Sequence, residues 1–364
     1  MDEILKKIQA VMGRAERFRW QIAGGAVLLL VLSFGLFWFA ISGAGRSGSD
    51  IVVNATSTEA TTTESALVPR KLDGVLVPAG EDALPPRAVM VENHPDARPL
   101  SGLSRANVVI EAPVEGGITR FMLLFDATTT IEEVGPVRSA RPYYVEWAQG
   151  WHASYFHVGG SPDALALLTS GLKNITNIDQ FYNGPYFWRD GNRFAPHNVY
   201  TKKSLMDDIV TQKVPSSTTA VTAWHFQDAA TGTDRGDVKT ISVPYGGLFN
   251  VVWNFDADTG RYTRKEAGTI QKDRDGSVVM ADNVVVLLTD QKILDDYGRL
   301  QVRTTGSGDA IAYRDGKKFP IRWSRASGEP IRFTSSDGSE FLFDRGQTWI
   351  EVTTDDVTFA GLTK

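Results

Sequence analysis

The chain has 364 residues, of which 42% are hydrophobic and 22% charged, a globular composition with length for about two domains. Its formal net charge of -5 argues against a general nucleic-acid binder, which usually carries a basic excess, so no nucleic-acid partner is expected. The sequence contains no cysteine, which excludes disulfides, thiol nucleophiles, iron–sulfur clusters and a lipid anchor on an acylated cysteine.

The first part of the chain predicts a membrane anchor. Residues 20–45 carry no charged side chain, and a helix rising about 1.5 Å per residue over this length crosses a hydrocarbon core of about 30 Å. Five basic residues precede this segment: Lys6, Lys7, Arg14, Arg17 and Arg19. The positive-inside rule therefore places residues 1–19 in the cytoplasm and the rest of this single-pass protein outside the cell membrane. The alternative is a cleaved signal peptide, since residues 40–44 include small side chains, although signal-peptide cores usually run about 7–15 residues.

The segment that follows is predicted to be a spacer. Residues 46–66 are rich in Ser, Thr and Ala and poor in large apolar side chains, so they read as a flexible stalk. The folded part is then expected to divide into residues 67–215 and residues 216–364.

The two predicted domains differ in their sequence patterns. In residues 67–215, short apolar runs alternate with candidate helices at 142–151 and 161–172, which indicates a mixed α/β domain. The second helix has Ser161 as its N-cap and Gly171 at its end. In residues 216–364, Asp-Gly turns separate aromatic and β-branched runs, which predicts successive β-hairpins. The expected fold class is α+β.

One segment concentrates charge around an apolar strand. The run Phe121–Phe125 is flanked by two carboxylates and three arginines: Glu111, Glu115, Arg120, Arg138 and Arg141. Arginine offers planar, bidentate donors, so the three guanidinium groups could form a cradle for a carboxylate or phosphate. The alternative is an internal salt-bridge network with the two glutamates.

Four stretches of the chain carry a resemblance. These are "AVMVENHPDARPLSGLSRANVVIEAPVEGGITRFMLLF", "GPVRSARPYYVEWA", "FHVGGSPDALALL" and "FWRDGNRFAPHNVY". They resemble the N-terminal half of the YerB-like family of bacterial envelope proteins, and the hairpin-rich end resembles that family's C-terminal half. The resemblance, from about residue 72 to 360, implies an extracytoplasmic, two-part protein but names no reaction. Many YerB-like proteins are lipoproteins held by an acylated cysteine, and here the predicted helix takes the place of the lipid.

The family's motifs fall on polar residues at the edges of apolar runs, which favours a binding cleft. Their positions here are Glu92, Asn93, Arg98, Glu111, Glu115, Arg120, Arg138, Arg141, His157, Arg193, His197 and Asn198. Backbone amides at the turn Gly159, Gly160 and Ser161 are further candidate contacts, because a strand there leads into a helix N-terminus. The favoured alternative is a simple tight turn, because the glycines lack the spacing of a nucleotide-binding loop.

The expected function is binding of an anionic envelope glycan or polymer, or of an envelope protein. The alternative is a hydrolase or transferase acting on a glycan or phosphodiester link, with proton transfer by Glu111, Glu115, His157 or His197. No cofactor is predicted. No metal is predicted either, because the sequence has no compact pair of histidines at helical spacing.

Overall fold

The computed structural model describes residues 66–354. Three α-helices occur in this range: α1 (Pro142–Gly150), α2 (Pro162–Thr169) and α3 (Lys203–Lys213). None of the helices in residues 66–354 is long and apolar enough to cross a membrane. The predicted anchor at 20–45, the segment 1–19 and nearly all of the stalk at 46–66 lie outside the described residues.

Strands make up most of the regular structure. The N-terminal half contains β1 (Leu67–Pro69), β2 (Leu76–Pro78), β3 (Arg87–Glu92), β4 (Val108–Pro113), β5 (Thr119–Phe125), β6 (Ser154–His157), β7 (Thr176–Asp179), β8 (Trp188–Arg189) and β9 (Val199–Tyr200). The C-terminal half contains β10 (His225–Gln227), β11 (Thr240–Val243), β12 (Val251–Asp256), β13 (Arg261–Glu266), β14 (Thr269–Ile270), β15 (Met280–Ala281), β16 (Asn283–Leu288), β17 (Gln291–Ile293), β18 (Leu300–Val302), β19 (Gly306–Arg314), β20 (Lys317–Arg325), β21 (Arg332–Ser335), β22 (Leu342–Asp344) and β23 (Thr348–Thr353). A mixed half followed by a hairpin-rich half fits the predicted organisation.

Local sequence signals explain the two predicted helices, and both are confirmed. Helix α1 begins with a proline at its first position, where no backbone N–H is needed. In α2 the Ser161 hydroxyl accepts a 3.4 Å hydrogen bond from the amide of Ala164, which caps the free N–H groups of the first turn. Gly171 follows with φ +81°, a left-handed conformation that stops the helix and that glycine adopts without strain.

A ten-stranded sheet runs through both halves. Its strand order is β21-β20-β19-β16-β23-β4-β5-β3-β6-β7. The join is β23, which pairs in parallel with β16 on one side and with β4 on the other, opposite residues Val108 to Glu111. The last described strand is therefore hydrogen-bonded to one of the first.

Each face of this sheet is covered by its own apolar core. One core includes α1, α2 and Trp224, whose indole N–H donates a 2.8 Å hydrogen bond to the carbonyl of Ile331. The other includes α3 and the second sheet, β11 to β15, in which Trp253 packs edge-on against Trp349 with ring centroids 5.0 Å apart. Both cores draw side chains from both halves, so the described chain folds around shared interiors.

Candidate functional site

Glu111 lies in a closed polar network under the second sheet. The network consists of Arg264 and three carboxyl groups, and we call it the Arg264 network: Arg264, Glu111, Glu266 and Glu351. Arg264 and Glu111 are both 0% exposed and form an ion pair, while carboxyl oxygens of Glu266 and Glu351 lie 3.8 Å from guanidinium nitrogens. Burial, together with the nearby Glu351, raises the pKa of Glu111 to about 8 against the opposing effect of Arg264. Glu111 therefore has no surface to present to an external ligand.

Glu115 pairs with Arg141 at the edge of the sheet. The two side chains form a bidentate contact, with Nε to Oε1 and Nη2 to Oε2 both at 2.6 Å. Burial acts to raise the pKa of Glu115, but the bonds and charge of Arg141 outweigh it and the net shift is downward. For this pair the geometry matches the internal salt bridge considered for the sequence.

Arg120 is buried beside the other two arginines, and no carboxylate of the described part of the chain forms a salt bridge with it. Its Nη1 donates a 2.6 Å hydrogen bond to the carbonyl of Ser139, whereas its Nε makes no hydrogen bond within residues 66–354. Burial and the neighbouring charges of Arg141 and Arg138 lower the pKa of Arg120 to about 10. The three arginines thus lie close enough to repel one another, and we call them the arginine cluster.

Glu92 connects Arg138 to His197. Its Oε2 lies 3.3 Å from Arg138 Nε and 2.8 Å from His197 Nδ1, and its side chain is 3% exposed. Burial raises the pKa of Glu92, opposed by the charge of Arg138 and the contact with His197. The Arg138 side chain is 25% exposed, and its Nε faces the Glu92 carboxylate. The guanidinium is thus held at Nε on a side chain that reaches the surface.

Arg138 lines a surface cavity of about 550 Å³, which we call the Arg138 cavity. Its wall also includes Gly159, Gly160, Arg189 and two exposed aromatic residues, Phe181 and Tyr182, which are 67% and 87% exposed. The sequence reasoning missed the last three residues. The run "DQFYNGPYFWRD" contains them, and its density of aromatic side chains in a polar, turn-rich context is the signal that would have found them.

The predicted glycine turn lies at this cavity, but most of its amides have internal partners. The amide of Gly159 donates a 2.9 Å hydrogen bond to Asp179 Oδ1, and that of Ser161 donates a 3.2 Å bond to the carbonyl of Ala140. His157 is 0% exposed and its two ring nitrogens contact the Gly159 carbonyl at 2.8 Å and Asn177 Oδ1 at 2.7 Å. Of these groups, Gly159, Asn177 and Asp179 line the cavity, and their partners hold them in place.

The remaining predicted residues brace the loops around it. Arg193 donates to the carbonyls of Ala97 and Pro99. Asn198 Oδ1 accepts a 2.9 Å hydrogen bond from Arg189.

Asn93 and Arg98 reach the Arg264 network instead. Arg98 lies 3.1 Å from Glu266 and donates a 3.2 Å hydrogen bond to Asn93 Oδ1. Asn93 in turn donates to Glu266 and, at 2.8 Å, to Thr119 Oγ1. These two side chains tie the loop after β3 to the second sheet.

A group that the sequence reasoning missed lies next to His197. The side chains of His94 and Asp96 approach it, and the ligand atoms of the three residues all lie within 4.8 Å of one another. The imidazole centroids of His94 and His197 are 5.0 Å apart, with planes inclined by 22°. Because His197 is distant in sequence from the other two, spacing alone gave no sign of this group.

Comparisons with known proteins cover both halves. The family model described as "Protein of unknown function (DUF3048) N-terminal domain" matches residues 74–216, and the corresponding C-terminal domain model matches residues 241–350. The chain is 35% identical over 278 residues to a Bacillus subtilis (strain 168) protein named "Putative lipoprotein YerB", covering 74% of this chain and 81% of that protein. The crystal structure of the YerB protein from Bacillus subtilis superposes with a TM-score of 0.69 at 32% identity, covering 79% of this chain and 97% of that one.

Proposed function

The chain belongs to the YerB-like family of proteins of unknown function (DUF3048), and from this relationship we propose that it binds an anionic envelope glycan in the Arg138 cavity. We place this function on the extracytoplasmic side of the cell membrane. The observation that carries the proposal is the surplus of positive charge: the arginine cluster holds three guanidinium groups, and within residues 66–354 only Glu92 and Glu115 pair with them.

The unpaired charge is concentrated where a ligand has access. Arg141 is satisfied by Glu115, and Arg120 is buried behind the carbonyl of Ser139. Arg138 is the most exposed of the three arginines, with 25% of its side chain accessible, and Arg120 adds a positive field beside it. A carboxylate or phosphate that meets Arg138 would form charge-assisted hydrogen bonds, which are about twice as strong as neutral ones.

The other wall of the cavity suits a sugar ring. Phe181 and Tyr182 expose large apolar faces that a folded chain usually buries, and exposed apolar groups beside polar ones are typical of binding sites. An anionic glycan offers both an apolar ring face and a charged substituent, so it can use the aromatic wall and Arg138 at the same time.

The test measures binding to isolated walls. Cell-wall fragments with their anionic polymers intact are compared with the same fragments after those polymers have been extracted, using sedimentation with the purified protein. We expect Arg138→Ala to weaken binding about 10- to 100-fold, the equivalent of about 1.5–3 kcal/mol for hydrogen bonds to a charged group. Arg138→Lys should fall between, because lysine keeps the charge but loses the planar fork.

Arg322→Ala is the matched control. This arginine lies on β20, its side chain is 57% exposed, and it is paired with Asp309 at 2.7 Å. It removes the same net charge without touching the cavity. Equal losses in Arg138→Ala and Arg322→Ala, or equal binding to intact and extracted walls, would refute a specific anion site.

The anchor is the second part of the proposal. The lipoprotein description of the Bacillus relative supports an envelope location, and the absence of cysteine here requires a different attachment. Residues 20–45 supply it as a transmembrane helix with residues 1–19 in the cytoplasm. Protease added to intact spheroplasts should then digest the part from Leu67 onward, and full protection of that part would contradict the topology.

A further inference from the structure

We propose that His94, Asp96 and His197 form a binding site for Zn²⁺ or a similar divalent metal ion, adjacent to the Arg138 cavity. The three side chains come from two loops that are distant in sequence, the turn after β3 and the segment before β9. Their ligand atoms nevertheless converge to within 4.8 Å of one another. Two imidazoles and one carboxylate are the ligand types that Zn²⁺ takes in sites that keep a fourth position for water.

The centroid separation of the two imidazoles matches that of two rings on a shared ion, although the rings are stacked with planes inclined by 22° and one of them must turn for both nitrogens to face the ion. Nitrogens bonded to one Zn²⁺ at about 2.0–2.1 Å, at the tetrahedral angle, place the ring centroids about 5 Å apart. The observed separation of the His94 and His197 centroids is 5.0 Å.

The carboxylate lies close to its required position as well. Tetrahedral ligand atoms at the same bond lengths are about 3.3 Å apart, and His94 Nδ1 lies 3.6 Å from Asp96 Oδ2. Asp96 is 75% exposed, so a rotation of its side chain closes the remaining gap at little cost.

Glu92 supplies the outer support that metal-binding histidines usually have. Its buried carboxylate lies 2.8 Å from His197 Nδ1 and fixes the ring, which leaves Nε2 as the nitrogen directed away from this contact. A carboxylate in this position orients the imidazole and increases its basicity.

A purely structural role accounts for only part of this arrangement. His94 Nδ1 accepts a 3.2 Å hydrogen bond from the amide of Asp96 and so caps the short 3-10 turn Pro95–Ala97. That bond would be exchanged for the bond to the metal. Capping explains the position of His94, and stacking of the two rings contributes to the approach of His197, but neither accounts for the buried carboxylate behind His197.

The site also bears on the neighbouring cavity. Glu92 Oε2 contacts both His197 and Arg138, so one carboxylate supports the metal ligand and the anion-binding guanidinium. A cation held by His197 would add a second positive charge next to Arg138, and it would favour anionic ligands whether or not the glycan proposal holds.

The test is calorimetric titration of the purified, chelator-treated protein with Zn²⁺, and with Co²⁺ as a spectroscopic probe. We expect one equivalent to bind, with the intense visible absorption of tetrahedral Co²⁺. His197→Ala and His94→Ala should each weaken binding at least tenfold, and Glu92→Gln about 10- to 100-fold through the lost support of His197.

His225→Ala is the matched control, because His225 is exposed and contacts a carboxylate, Glu340, elsewhere on the surface. It should leave the stoichiometry and affinity unchanged. Circular dichroism of each variant shows whether it is folded, and Asp96→Asn, at an exposed position, provides a ligand change that spares the interior. The proposal is overturned if Zn²⁺ binds no more tightly to the wild type than to the folded His94→Ala or Asp96→Asn variants. A variant that loses metal binding while its wall binding stays intact would refute the proposed effect of the metal on the Arg138 cavity, but not the metal site itself.

Discussion

The Arg264 network predicts an unusual dependence of stability on pH, and Glu111→Gln tests it. Arg264 and Arg98 supply two positive charges to three buried carboxyl groups, Glu111, Glu266 and Glu351. With all three ionised the network would carry a net negative charge in a region of low dielectric. Retaining one proton restores neutrality. Burial of the carboxyl is the main reason that the pKa of Glu111 is raised to about 8, and the nearby Glu351 adds to this effect against the opposing charge of Arg264.

The direction in which stability changes with pH follows from the protons that the folded and unfolded chains bind. The unfolded carboxyl loses its proton near its ordinary pKa of 4.5, whereas the folded one keeps it up to about pH 8. Between these values the folded state binds more protons, so this group's contribution to stability is complete below pH 4.5 and is lost as the pH rises toward 8. Above pH 8 the loss levels off.

Glutamine at position 111 imitates the protonated acid and cannot ionise. One proton corresponds to about 1.4 kcal/mol per pH unit, so two units give at most about 3 kcal/mol. We therefore expect the stability of Glu111→Gln relative to wild type to rise by about 1–3 kcal/mol from pH 5.5 to 7.5. Other ionisable groups are present in both proteins and cancel in the difference.

Urea unfolding followed by tryptophan fluorescence measures the effect at pH 5.5, 6.5, 7.5 and 8.5. Glu132→Gln, at an exposed position, is the control and should show a pH-independent difference from wild type. A difference for Glu111→Gln that stays flat with pH, or that falls as the pH rises, would refute the raised pKa of Glu111.

Two further substitutions test other parts of the structure. Gly150→Ala should lower the free energy of unfolding by about 1–3 kcal/mol, because the new Cβ would lie 2.3 Å from a backbone carbonyl oxygen. Gly184→Ala is the control: the space around Gly184 is open, so thermal melts should show little change in stability. Arg141→Lys should lower the free energy of unfolding by about 1–3 kcal/mol, because lysine loses the bidentate contact with Glu115, and wall binding should persist. Weakened wall binding with an unchanged melting temperature would contradict the assignment of a structural role to Arg141 and a binding role to Arg138.

Short sequence signals predicted the helices and turns whose structure depends on neighbouring residues. Helices α1 and α2 follow from proline at the first turn, the Ser161 cap and the stop at Gly171, all within a few residues. The proximity of Arg120, Arg138 and Arg141 could also be predicted from the sequence, because a strand end and the loop that follows lie near each other in most folds.

Contacts between distant segments could not be predicted in this way. The sequence groups Glu111 with the arginine cluster, but its ion-pair partner in the structure is Arg264. The two residues are 153 positions apart and meet because β13 of the second sheet packs over β4. His197 and Glu92 are 105 residues apart and meet only once the loops after β3 and before β9 are in place. Such pairs depend on sheet order and register, which a single sequence does not specify.

The position of β23 has a consequence for folding during synthesis. Its partner β4 is among the first described strands to be synthesised, and the backbone groups of Val108 on that side stay unpaired until Thr348 has been made. Until then β4 is an unprotected edge of apolar residues, the kind of surface on which chains associate with one another. Such distant pairing also folds slowly. A nascent chain therefore needs something to cover this edge, and a chain that stops short of residue 348 would keep it exposed and become a substrate for aggregation or proteolysis.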